Sequence, residues 1–125
     1  MANGIIDCRY LSEMRHWVGE AVFTLLAEQA ADNLAAPLAD LTAAWRRSDT
    51  ESFRDATHRL KGAAASMGCT ALSTAAEGMM CDTRPIEAVS GAEMQALQRL
   101  LQASLLALGA FAIQPQDTPV PARPQ

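Results

Sequence analysis

Apolar residues recur at steps of three and four along most of this chain, and that recurrence divides it into five helical segments. The first covers about Asp7 to Val18, with Leu11, Met14 and Val18 on one face and Gly19 following. The second runs from about Glu20 to Arg47 along Phe23, Leu26, Ala30, Leu34, Leu38, Leu41 and Trp45. Pro37 lies inside it, lacks a backbone donor and crowds the carbonyl of Asn33, so a kink or a break is expected there. The third segment opens with Ser48-Asp49-Thr50-Glu51, which reads as a capping box. In it the Ser48 hydroxyl accepts from the Glu51 N–H and the Glu51 carboxylate reaches back. That segment ends near Met67, with Gly68 suited to a left-handed cap. A fourth spans about Thr70 to Asp82, ahead of Arg84-Pro85. The fifth starts at Ser90, with Glu93 three residues on, and follows Met94, Leu97, Leu101, Leu105 and Leu108 to about Ala112. Four amphipathic helices with short connections predict an all-α protein. The expected architecture is an antiparallel up-and-down four-helix bundle, with the short N-terminal helix packed on one end. Residues 1–113 form the expected helical unit. Residues 114–125, with four prolines, read as a flexible tail.

Composition narrows the function classes. A chain of 125 residues that is 50% apolar can bury one core without metal or disulfide. The net charge of −4 argues against a general nucleic-acid binder. The charge is uneven: Arg46, Arg47, Arg54, Arg59 and Lys61 against Asp49, Glu51 and Asp55 make residues 46–61 locally +2, leaving −6 elsewhere. Cys8, Cys69 and Cys81 form no C-x-x-C pair, so reduced thiols in a cytoplasmic protein are expected. Met1–Ile6 has no charged segment leading into an apolar run, and Ala103–Ile113 is too short to span a bilayer.

The third segment carries the candidate chemistry. With His58 at zero and about 100° per residue, Phe53, Ala56, Leu60, Ala63, Ala64 and Met67 fall between about 120° and 240°. Glu51, Arg54, Asp55, Lys61, Gly62 and Ala65 fall within about 60° of His58. The imidazole is therefore expected to point away from the core, in mid-helix, on a polar strip. Lys61 at i+3 can bring its ammonium to the same space, where a cation favours a phosphoryl group. Gly62 at i+4 costs about 1 kcal/mol against alanine in a helix, so something other than helix stability should account for it. Ala65 continues a lane of small residues along which another protein's active site can approach.

His58-Arg59-Leu60-Lys61-Gly62-Ala63 resembles the H-x-L-K-G-[small] signature of histidine-containing phosphotransfer (HPt) domains. Ala64-Ala65-Ser66-Met67-Gly68 and Leu72 resemble the family's continuation, and Ile6-Asp7 and Gly19 its first helix and that helix's end, so the likeness extends loosely over residues 5–113. The resemblance implies a phosphorelay intermediate. Neutral imidazole of His58 attacks the phosphorus of a receiver-domain phosphoaspartate in line, and the group passes to an aspartate on another receiver. Lys61 gives electrostatic support, and Arg54, Asp55, Gly62 and Ala65 face the partner. The receiver supplies Mg²⁺; the chain needs no cofactor, acts as a phosphocarrier without kinase activity, and is expected to be a monomer. Many members carry a glutamine or arginine on the next helix that steadies the histidine; here that stretch is Gly78-Met79-Met80-Cys81, with Glu77 the nearest candidate.

Other readings compete. A helical adaptor or inhibitor could use the same surface on receiver or kinase domains without being phosphorylated. A metal-binding or catalytic bundle lacks support, since His58 has no ligand partner at i+4 and the cysteines lack metal spacing. Asp55 can pair with Arg59 at i+4. His16 reads as structural or surface, Trp45 and Phe53 as core, and Met67, Met79, Met80 and Met94 as core filler.

Overall fold

The computed structural model describes residues 4–114, so the tail read at 114–125 lies outside the described residues apart from Gln114. The described chain is all-helical: α1 (Cys8–Val18), α2 (Glu20–Arg47), α3 (Thr50–Ser66), α4 (Thr70–Met80) and α5 (Gly91–Ala112), with one 3₁₀ turn at Ile86–Ala88. α2 packs on α3 and α5, α3 on α4, and α4 on α5, while α1 leans chiefly on α2. The helices enclose one core. Leu11, Phe23, Leu34, Leu41, Leu60 and Leu72 are fully buried in it, and each such side chain contributes about 1.5–3 kcal/mol through removal of apolar surface from water. None of the described helices is long and apolar enough to cross a membrane.

The helix ends explain where the elements stop, and one differs from expectation. Ser48 is not the N-cap of α3. It adopts the left-handed conformation (φ 55°) that closes α2, with its N–H on the Trp45 carbonyl and the Asp49 N–H on the Ala44 carbonyl. Asp49 then caps α3, accepting the Ser52 N–H at 3.2 Å and the Ser52 hydroxyl at 2.8 Å. A two-residue link cannot both close one helix with a serine and open the next with it. Ser90 caps α5 as expected, accepting from the Glu93 N–H at 3.1 Å. Gly68 closes α3 at φ 72°, and a Cβ there would lie 2.9 Å from Leu11 Cγ. Its own carbonyl accepts the Asp7 N–H at 2.8 Å, which seats the start of α1 on the α3–α4 corner.

Two further positions refine the expectations. Of the kink or break expected at Pro37 the break does not occur: α2 continues through this residue, which is itself buried. On α1 the residue that joins Leu11 on the buried face is Arg15, not Val18: Arg15 is buried and Val18 is exposed. The Arg15 guanidinium pairs with Glu20 (2.5 and 3.0 Å) and donates to the carbonyls of Phe111, Ala112 and Gln114. It also lies over the rings of Phe23 and Phe111. A cation thus meets the negative end of the α5 dipole and satisfies carbonyls that the helix itself leaves unpaired. Helical periodicity alone sees a charged residue and assigns it to water.

Candidate functional site

α3 presents the two faces its spacing predicts. Phe53, Ala56, Leu60, Ala64 and Met67 are buried, whereas Arg54, Asp55, His58, Gly62 and Ala65 are exposed and Lys61 is half-buried. The outward ridge is set by long-range packing on both sides. On the α2 side, Arg59 pairs with Asp40 at 3.0 Å, not with Asp55 as its spacing suggested. On the α4 side, the Ser73 hydroxyl donates to the Lys61 carbonyl at 3.3 Å. Arg54 and Thr57 line a cleft with Met79 and Met80 of α4. Later α3 residues thus meet earlier α4 residues. His58 stands on the crest between the two flanks.

Gly62 has open space where a side chain would begin: nothing lies within 4 Å of a Cβ built there. Internal packing therefore does not require this glycine. It bares a strip of helix backbone beside the imidazole, and Ala65 extends the bare strip by one turn. Among the described residues Lys61, Arg54 and Asp55 enter no ion pair, so their charges face solvent.

Several contributors were invisible in the sequence. A groove of about 530 Å³ runs beside the ridge, lined by Met14 of α1, by Leu26, Asn33 and Pro37 of α2, and by Arg59, Ala63, Ser66 and Met67 of α3. The α1 side is held by the Tyr10 hydroxyl, which donates to the Ser66 carbonyl at 3.0 Å. Thr57, next to His58, is fully buried and donates to the Phe53 carbonyl at 2.7 Å. No local pattern marks Ser73 or Tyr10, because their partners are 12 and 56 residues away. Of the methionines read as filler, Met67 and Met94 are buried and Met79 packs partly buried against the core, while Met80 is half-exposed; Met79 and Met80 line the cleft beside Arg54. Phe53 is core as expected, and Trp45, half-buried, packs against the core while donating through Nε1 to the Val89 carbonyl at 2.9 Å. His16 is exposed.

The thiols differ in environment. Cys8 and Cys81 are exposed and free, while Cys69 is buried, which pushes its pKa up to about 11 and leaves it in the unreactive protonated form. A mid-helix imidazole in water, with a bare backbone strip on one side and a cation one turn on, can accept a group from a concave active site that closes over it.

The family model described as Hpt domain matches residues 25–107, well over half of the chain. No curated protein and no solved structure matches it.

Proposed function

Since the chain belongs to the Hpt domain family, whose members carry out histidine phosphotransfer in phosphorelays and interact with receiver domains, we propose that His58 is its phosphoacceptor. In this reading Nε2 of His58 attacks the phosphorus of a receiver phosphoaspartate, the P–O bond to the aspartate breaks, and a P–N bond forms. A second receiver's aspartate then takes the group by the reverse displacement. The scaffold is an up-and-down antiparallel bundle within residues 1–113, and the chain works as a cytoplasmic monomer that relies on the receiver for Mg²⁺ and for catalysis.

One observation carries the reading: His58 is exposed on the crest of α3, beside a glycine whose missing side chain nothing in the fold explains. Lys61 supplies a cation for the phosphoryl group. Gly62 and Ala65 keep the approach open, Arg54 and Asp55 face the incoming domain, and Glu77, exposed on α4, is the candidate to orient the imidazole. The apolar groove of α1, α2 and α3 offers a docking surface continuous with this crest.

The test is transfer from a phosphorylated receiver domain to the wild-type chain and to His58→Gln. Acid-labile, base-stable phosphate is expected on the wild type and none on the variant. A wild type that binds the receiver but never acquires phosphate would instead be an adaptor.

A further inference from the structure

The cations of this protein divide by whether a carboxylate already holds them. Among the described residues Arg9, Arg15, Arg47, Arg59 and Arg84 each have a carboxylate partner, whereas Arg46, Arg54, Arg99 and Lys61 have none. Two of these four, Arg54 and Lys61, lie on α3, one turn to either side of His58. Glu51 is on the same strip three residues before Arg54, yet no ion pair forms. The helix places Arg54 and Lys61 at about −40° and −60° from His58, so both lie on the same flank. That flank faces α4: Arg54 lines the cleft with Met79 and Met80, and the Lys61 carbonyl receives the Ser73 hydroxyl. Arg54 is exposed at the rim of that cleft. The opposite flank has no such free cation, since Arg59 is taken by Asp40 and Asp55 is an anion.

On the carrier reading above, we propose that Arg54 is a second phosphate-contacting residue. It clamps the phosphoryl oxygens of phospho-His58 together with Lys61, so that the group leans towards α4. Phosphoryl oxygens carry close to two negative charges, and a guanidinium meets them with paired donors that an ammonium lacks. Arg54 thereby acts before any partner arrives, and it is more than a docking residue. The loose transition state of phosphoryl transfer draws charge from those oxygens towards the leaving nitrogen. Cations that hold the oxygens therefore lengthen the life of the phosphohistidine against water.

A partner-free assay isolates this role from docking. The chain is phosphorylated with phosphoramidate: the P–N bond of the reagent breaks, a bond from phosphorus to Nε2 forms, and ammonia leaves. A His16→Gln background removes the other histidine. Decay of the phosphohistidine is followed by ³¹P NMR for this background and for Arg54→Gln, Arg54→Lys and Lys61→Gln within it, with circular dichroism as the check on folding. Arg54→Gln is expected to speed hydrolysis about two- to fivefold, the range of one exposed ion contact. Arg54→Lys should recover only part of the loss, since an ammonium keeps the charge without the paired donors, and raised salt should narrow the gap between wild type and Arg54→Gln. Equal lifetimes for wild type and Arg54→Gln, with phosphate present on both, overturn this inference and leave the carrier reading standing. A chain carrying His58 that accepts no phosphate from either phosphoramidate or a receiver overturns both.

Discussion

At the scale of single residues, the proposed carrier role asks Gly62 to trade helix stability for access. Gly62 sits on an exposed helical face with open space around its missing side chain, where alanine would be the better helix former by about 1 kcal/mol. Gly62→Ala should therefore stabilise the fold by roughly 0.5–1 kcal/mol in urea unfolding. Gly62→Gln should leave the fold intact but slow phosphotransfer from a receiver, because its side chain occupies the approach to the imidazole. Unimpaired transfer by the glutamine variant would remove this account of the glycine. That His58, Gly62 and Ala65 share one exposed face, with Lys61 half-buried beside it, was legible from spacing, since each lies within one or two turns of the next. Ser73 and Asp40, which engage the turn on either side, were not.

At the scale of elements, the junctions decide orientation. The Ser48-Asp49 link closes α2 and opens α3 within two residues, dividing the work between them. Asp49→Ala removes the only side-chain cap at the start of the helix that bears His58. It should cost about 1 kcal/mol, read as a lower urea midpoint with an unchanged slope. A variant as stable as wild type would show that the cap is idle. The sequence pattern pointed to Ser48 as the cap of α3, three residues before Glu51. The choice fell to Asp49 because Ser48 is needed in the left-handed conformation that turns the chain back from α2. At the other end of α3, Gly68 meets both demands at once, a positive φ and contact with Leu11.

At the scale of the whole molecule, carboxylates with depressed pKa values hold the joints between elements. Hydrogen bonding to Arg15 lowers the pKa of Glu20, the Ser52 N–H and hydroxyl lower that of Asp49, and Arg84 lowers those of Asp82 and Glu93. Each therefore favours the fold in its ionised form. That contribution is complete above the ordinary values of 3.8 and 4.5 and is lost as the pH falls through them towards the lower folded-state values. The urea midpoint is expected to drop between about pH 6 and about pH 3, and a midpoint that rises over that interval contradicts the assignment. By itself the sequence determined the five helices, the buried and exposed faces of α3, and the crest on which His58 stands. These depend on a helical period that is complete within one or two turns. Tertiary structure alone decided that Arg15 is buried against carbonyls 96 to 99 residues away, that Arg59 leaves Asp55 for Asp40, and that α1 closes a groove beside the outward ridge of α3. Each of those outcomes depends on which distant group arrives to replace water. No local spacing encodes that choice; packing five faces into one core makes it.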